Sequence, residues 1–325
     1  MSFWNGKRIL VTGGSGFIGS HLVERLLTAG SAVRVCGRSR AKLARFLGQL
    51  APDVEFLEGD LADMTFTERA CQGQDAVFHL AANVAGVGYN SAHPGSILFD
   101  NATIGLNILE AATRQGVERI GLTSSACIYR RHASVPTPET EGFIDDPEPS
   151  NLGYGWAKRF LEVQARCYVE QYPIKVALPR PYNAYGPRDD FEWETSHVIP
   201  ALIRKVSEGQ NPIPVWGDGS QTRSFLYVSD FVEGLMLTLE HHAECDPINI
   251  GSDEEVTIAN LIRLIIKLTG SDADIEFDLS KPGGQPRRIG DYTKAQKLLG
   301  FKAKVSLAEG LKRTIEWYQE SRVAV

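Results

Sequence analysis

Tyr154 and Lys158, in the run Tyr154-Gly155-Trp156-Ala157-Lys158, stand one helical turn apart, so on a helix both side chains share a face. A phenol with a pKa of about 10 is a poor base at neutral pH. An ammonium beside it favours the phenolate and lets it take a hydroxyl proton. A second group of interest lies far upstream, in Val11-Thr12-Gly13-Gly14-Ser15-Gly16-Phe17-Ile18-Gly19. It joins a buried-strand pattern, Arg8-Ile9-Leu10-Val11, to an amphipathic helix pattern over 20–27. Glycines at such a turn let the backbone approach a pyrophosphate, and the helix N-terminus offers free N–H groups and a positive dipole end. Read separately, the pair is an ordinary surface contact and the glycines a tight turn. Read together in this order, about 140 residues apart, each makes the chance reading of the other much weaker.

These groups need a scaffold, and the first 130 residues alternate strand and helix patterns. Strands are predicted at 8–11, 32–36, 54–58, 76–80 and 119–123, with helices at 19–29, 41–50, 66–72 and 101–115 between them. A helix at 154–171 and a strand at 175–179 follow. That alternation is what a parallel, doubly wound sheet requires. From Arg180 the pattern becomes irregular and rich in proline. The last 75 residues or so hold amphipathic helices at 258–269, 293–299 and 307–320. The predicted fold is α/β: a Rossmann-type doubly wound parallel sheet with a smaller C-terminal α/β substrate lobe. Residues 1–180 and about 224–250 are assigned to the dinucleotide-binding domain, and 181–223 and 251–325 to the substrate lobe.

Bulk properties remove several classes of function. A net charge of −6 leaves no basic stripe for a nucleic acid, so none is expected as a partner. No apolar run approaches the roughly 18 residues that would span a bilayer, and the first seven residues do not read as a signal peptide. The five cysteines, Cys36, Cys71, Cys127, Cys167 and Cys245, are odd in number and have no metal-ligand spacing. They fit a reducing cytoplasm, with no metal, and all but Cys127 are expected to be small core fillers.

Further motifs carry a resemblance. They are Gly59-Asp60-Leu61, His79-Leu80-Ala81-Ala82, Ser124-Ser125-Ala126-Cys127-Ile128-Tyr129 and Arg180-Pro181-Tyr182-Asn183-Ala184-Tyr185-Gly186-Pro187. Trp216-Gly217-Asp218-Gly219-Ser220-Gln221-Thr222-Arg223-Ser224-Phe225 and Arg288-Ile289-Gly290-Asp291 continue the series. With the glycine turn and the Tyr–Lys pair, the whole chain resembles the extended short-chain dehydrogenase/reductase family of NAD(P)-dependent sugar-nucleotide epimerases, dehydratases and reductases. The resemblance implies that Ser125, Tyr154 and Lys158 form the hydride-transfer centre, with Ser125 orienting the sugar oxygen. It places Gly13, Ser15, Gly16, Phe17, Ile18, Gly19, Asp60, Leu61, Ala81 and Ala82 around the cofactor, together with Tyr154 and Lys158. Asn183, His197, Lys205, Arg223 and Arg288 become substrate-side positions. Guanidinium groups suit a diphosphate because they fork onto two phosphate oxygens and stay charged. A homodimer paired through the helices at 101–115 and 154–171 is also implied.

Two branches of the family share further detail. Ser196-His197-Val198-Ile199-Pro200 is similar to GDP-L-fucose synthase, whose cysteine and histidine at the places of Cys127 and His197 form a proton-transfer pair. The stretches around Cys127, Trp216–Phe225 and Asn249-Ile250-Gly251-Ser252-Asp253-Glu254 resemble GDP-mannose 3,5-epimerase, which has lysine where this chain has His197. A ketone at C4 acidifies the C3 and C5 protons, so a thiolate on one ring face and an imidazolium on the other could invert those carbons. The alternative assigns Cys127 to packing and His197 to a structural role. The leading expectation is a nucleoside-diphosphate-sugar epimerase acting through a transient 4-keto intermediate, inverting C3 and/or C5 of a GDP-hexose. The alternatives are an NADPH-dependent epimerase/reductase of the fucose-synthase kind, a plain UDP-hexose 4-epimerase, and a non-catalytic NADP-binding sensor. The second strand runs into Gly37-Arg38-Ser39-Arg40, without the acidic residue that usually binds an NAD ribose. NADP, its 2′-phosphate met by Arg38, is therefore expected in preference to NAD.

Overall fold

A computed structural model describes residues 2–84, 86–280 and 285–323 of the chain. Its central sheet has six strands: β1 (Arg8–Thr12), β2 (Ala32–Gly37), β3 (Glu55–Glu58), β4 (Ala76–His79), β5 (Arg119–Leu122) and β6 (Lys175–Ala177). They are parallel throughout, in the order β3-β2-β1-β4-β5-β6. The doubly wound Rossmann-type sheet is therefore present. Its inner strands are continuous apolar runs because helices cover both faces, leaving no solvated side to alternate toward. On one face α1 (Phe17–Thr28) and α2 (Arg40–Leu47) pack against Ile9, Val11, Val33, Val35 and Phe78. On the other, α3 (Met64–Cys71), α5 (Pro94–Arg114) and α6 (Leu152–Gln171) enclose Leu10, Val77, Ile120 and Val176. The short α4 (Val87–Ala92) bridges into α5.

Beyond β6 the chain forms short pieces rather than more central strands. These are β7 (Pro179–Pro181), β8 (Ala184–Tyr185), α7 (Val198–Ser207), β9 (Ile213–Trp216), β10 (Thr222–Ser224), β11 (Leu226–Tyr227), α8 (Val228–His241) and β12 (Ile248–Ile250). β13 (Glu255–Thr257), α9 (Ile258–Thr269), β14 (Ile275–Asp278), β15 (Arg287–Arg288), α10 (Thr293–Leu299) and α11 (Leu307–Val323) complete it. α8 returns to the first face of the sheet, where Phe231, Val232, Leu235 and Leu239 join the core of Ile9 and Val11. A separate core gathers Ile199, Ile203, Leu261, Ile262, Ile265 and Leu311 from α7, α9 and α11. Among the described residues, no helix is long and apolar enough to cross a membrane.

The structure corrects three details. α5 begins at Pro94, well before the predicted 101, because proline at the first helical position loses no hydrogen bond and is already set in φ. The predicted strand 175–179 is two strands: β6 stays in the central sheet, while β7 leaves it to pair with β12. Cys36 and Cys71 are buried as expected and Cys245 packs half-buried against the same core, but Cys167 is exposed and fills no core.

Candidate active site

The sheet order changes direction at β1, with β2 and β3 on one side and β4 on the other. In sheets of this kind, ligands bind at that switch point, beyond the carboxyl ends of the strands. Gly13 turns the chain out of β1 with φ +70°, and a Cβ built on it would meet Ala81 N at 2.8 Å. A Cβ on Gly19 would lie 2.1 Å from Gly13 O, so α1 begins tight against the turn. The N-cap of α1 is Gly16, with no side chain capping the first-turn N–H groups. Ser15, Phe17 and Ile18 are half-buried along this lip. Thr12 Oγ1 accepts from Ala81 N (3.2 Å) and bonds to His79 Nδ1 (2.9 Å), pinning β1 to β4 where the cradle opens. Burial takes the His79 pKa down to about 3, with the Lys158 charge acting the same way, so this imidazole is neutral.

Around the rim, Asp60 is exposed and its Oδ1 accepts from Ala62 N (2.9 Å), Leu61 is buried, and Ala81 and Ala82 are half-buried. Arg38 and Arg40 are exposed at the end of β2, and neither forms an ion pair among the described residues. Uncapped N–H groups, a turn that tolerates no added Cβ, and free guanidinium groups at the second strand end fit a dinucleotide phosphate backbone.

The next layer joins β5 to α6. Ser125 has extended backbone (φ −161°) and caps a turn of 3-10 helix, its Oγ accepting from Cys127 N (3.1 Å). Lys158 is buried and donates from Nζ to the Thr123 carbonyl (2.7 Å), with Nζ 5.5 Å from the centre of the Tyr154 ring. Burial lowers the Lys158 ammonium to about 8, while Cys127 and Glu162 pull it upward. Burial raises the Tyr154 phenol well above its ordinary value, Cys127 adds to this, and a hydrogen bond with Ser125 opposes it. Ser125, Tyr154 and Lys158 are thus brought together. The expected depression of the Tyr154 pKa is not found: burial and Cys127 both raise it, and the hydrogen bond with Ser125 is too weak to offset them.

Cys127 joins the same cluster. Arg288 Nη2 approaches its Sγ at 3.4 Å, and the charge of Cys127 is felt at both Tyr154 and Lys158. Burial works against the charge on Arg288, but its contact with Cys127 holds the guanidinium above its ordinary pKa. The contact arises because Ala126, Ile128, Tyr129, Tyr182, Ile289 and Tyr292 form one small apolar cluster, clamping the serine–cysteine turn to the segment after β15.

Arg223 and Arg288 are direct register partners on the parallel strands β10 and β15. Burial, then the Arg288 charge, lowers Arg223 to about 10, and Glu148 opposes this. Two crowded guanidinium groups make a ready site for a polyanion. Asn183 Nδ2 donates to Ser224 O (2.9 Å), tying it beside Arg223.

His197 is the N-cap residue of α7. Its side chain is exposed at the surface, with the protein packed closely around it. Desolvation by that packing lowers its pKa, and Asp190 opposes the shift. Gly86 N donates to Thr195 O (2.9 Å), and a Cβ on Gly86 would stand 2.9 Å from Ser196 O, so the segment after β4 presses on the loop before His197. Direct contact between His197 and Cys127 is not observed. Lys205 turns its Nζ to the Pro214 carbonyl (2.9 Å), and burial, with Arg204 nearby, lowers its pKa.

Sequence reasoning missed Thr123 as the anchor of Lys158, Glu148 as the acid facing the two arginines, Asp190 beside His197, and the Thr12–His79 bond. None carries a local signal except His79, which stands in the motif His79-Leu80-Ala81-Ala82 at the end of a predicted strand.

Residues 9–251 match the NAD dependent epimerase/dehydratase family. The chain belongs to this family. Over 323 residues it is 33% identical to a GDP-L-fucose synthase of Sinorhizobium fredii (strain NBRC 101917 / NGR234), covering 97% of this chain and 96% of the relative. It is 31% identical to GDP-mannose 3,5-epimerase 1 of Oryza sativa subsp. japonica, covering 96% of this chain and 82% of that one. A UDP-glucose 4-epimerase of Thermotoga maritima, solved with UDP-glucose, superposes with a TM-score of 0.86 at 32% identity, over 97% of this chain and 99% of the other. These relatives are sugar-nucleotide epimerases and reductases, and membership of their family makes this chain an enzyme of that class.

Proposed function

We propose that the protein is a nucleoside-diphosphate-sugar epimerase that works through a transient 4-keto intermediate and inverts C3 and/or C5 of a GDP-hexose. The observation that carries this reading is Cys127, a half-buried thiol in one cluster with Ser125, Tyr154, Lys158 and Arg288. A simple 4-epimerase needs no acid or base there. A nicotinamide cofactor held in the cradle of Gly13, Gly16 and Gly19 would supply reversible hydride chemistry at C4. Ser125 orients the C4 hydroxyl and Tyr154 takes its proton, with the Lys158 ammonium favouring the phenolate. Arg223 and Arg288 hold the diphosphate, and Asn183 supports them. Cys127 and His197 then remove and return protons at the carbons acidified by the ketone.

A second reading is a reductase of a 4-keto-6-deoxy sugar nucleotide, favoured by the likeness to GDP-L-fucose synthase and by His197 at the start of α7. In both readings NADP is the proposed cofactor, supported by the exposed Arg38 and Arg40 at the end of β2. Arg38→Ala should weaken NADP binding at least several-fold and leave NAD nearly unchanged, as measured by isothermal titration. Equal losses would make the cluster plain surface charge. A homodimer is also proposed, supported by an exposed apolar stripe on α5 and α6: Phe99, Leu106, Leu152, Trp156, Phe160 and Val163.

The deciding experiment incubates the enzyme with GDP-mannose, UDP-glucose or a 4-keto-6-deoxy GDP-sugar in D₂O and reads the product by NMR. The epimerase places deuterium at C3 or C5 without consuming added NADPH, and Cys127→Ser suppresses that exchange while leaving hydride transfer intact. Stoichiometric NADPH loss with the 4-keto sugar establishes the reductase. Inversion at C4 alone, with no deuterium, returns Cys127 to a packing role.

A further inference from the structure

Beneath the hydride-transfer cluster lies a layer of buried charge that neither the proton steps nor the hydride step uses. Glu162, one turn beyond Lys158 on α6, has 0% exposure, and Arg180 in β7 has 1%. Arg180 Nε and Nη2 donate to Glu162 Oε1 (2.9 Å) and Oε2 (2.7 Å), a two-point fork. Arg180 Nη1 donates to Tyr129 Oη (3.1 Å) and to the Glu139 carbonyl (2.6 Å). Tyr129 Oη donates in turn to Asn249 Oδ1 (2.6 Å). Ser124 Oγ donates to Glu162 Oε1 (2.5 Å). Ser124 directly precedes Ser125, and Tyr129 closes the turn that holds Cys127. The ion pair therefore grips the serine–cysteine segment at both ends.

Stability alone does not account for this arrangement. A fully buried ion pair gains little over well-packed apolar side chains, because desolvation consumes most of its attraction. Burial indeed works against the charge on Arg180, and the bonds and charge of Glu162, with a smaller contribution from Tyr129, hold the guanidinium above its ordinary pKa. What a fork supplies, and apolar packing does not, is a single distance and orientation between the elements it joins.

We propose that Glu162 and Arg180 are positioning residues of the reaction, clamping the segment that bears Ser125 and Cys127 to the helix that bears Tyr154 and Lys158. The proposal rests on the reading of Ser125, Tyr154 and Lys158 as the hydride-transfer centre. It has an electrostatic consequence as well. The groups facing Lys158 are Cys127 from the 3-10 turn, Tyr154 and Glu162 from its own helix, and the neutral His79 from β4. Of these, Cys127 and Glu162 support its ammonium against burial, so removing the Glu162 charge shifts the Lys158 titration to lower pH.

The test compares wild type with Ser124→Ala, Glu162→Gln and the doubly neutral Glu162→Gln/Arg180→Met. Ser124→Ala removes one hydroxyl and strands no charge, so it folds even if Glu162→Gln does not, and the double variant leaves neither charge unpaired. Steady-state kinetics and NMR titration of 13C-labelled lysine, with the Lys158 signal assigned from Lys158→Arg, are the readouts. The expected result is kcat lowered several-fold in Ser124→Ala and about tenfold or more in the Glu162 variants, with KM for the sugar nucleotide unchanged. In Glu162→Gln, which removes the carboxylate and leaves Arg180 in place, Lys158 also titrates at lower pH. A pair serving stability alone would lower Tm and leave kcat and the titration in place. Wild-type kcat in Ser124→Ala, or in either folded Glu162 variant, overturns the proposal. Failure of the underlying reading is distinguishable, because full activity in Tyr154→Phe would remove the hydride-transfer centre while the Lys158 titration still reported on the clamp.

Discussion

Tyr154 is buried with its hydroxyl toward Ser125, in surroundings that make it a weaker acid than in water. In its proposed role as base it depends on positive charge nearby, and Lys158, lowered to about 8, is poised to keep or lose that charge near neutral pH. Tyr154→Phe should abolish turnover, by about 10²-fold or more, with circular dichroism and cofactor binding unchanged. The pH dependence follows in sign. Lys158 loses its proton as pH rises through about 8, and with it the charge that favours the phenolate. kcat should therefore decline on the alkaline side from near that value, and a profile flat to pH 10 would rule out this role for the lysine. The Tyr–Lys pair was legible in the sequence because its partners are one turn apart on one helix. The Cys127–Arg288 contact was not, since it joins residues distant in sequence through the register of β10 with β15 and a small cluster of tyrosines.

Among the elements, the turn from β1 into α1 is the most constrained. Gly13 combines positive φ with a close approach to Ala81, so Gly13→Ala meets both backbone strain and a steric overlap. We expect a loss on the order of 1–3 kcal/mol in stability and a larger relative loss in dinucleotide affinity, read by urea titration and by cofactor binding. A variant with wild-type affinity would show that the cradle does not carry the phosphates. The strands of the central sheet were legible within a residue or two, because buried parallel strands are unbroken apolar runs. The short strands after Arg180 were not, since two- and three-residue pieces such as β8, β10 and β15 have no period to read and exist only by pairing.

Across the whole molecule, the exposed stripe on α5 and α6 is the feature most in need of a partner. Phe160 is 46% exposed and Trp156 41%, on the outward side of two helices that pack closely on each other. Phe160→Glu should convert the proposed dimer to monomers in sedimentation velocity, because burying an unpaired carboxylate in an apolar interface costs several kcal/mol. A wild type that sediments as a monomer would remove the dimer instead.

The sequence by itself determined the doubly wound sheet, the glycine turn and the Tyr–Lys pair. Each is encoded by neighbours along the chain, through helical or strand spacing and backbone conformation. Only the tertiary structure decided that Arg288 reaches Cys127, that Thr123 anchors Lys158, and that Glu162 and Arg180 lie together beneath them. Those contacts depend on how separate strands and helices meet, and on burial, which sets the charge of each group and is not a property of any short stretch of residues.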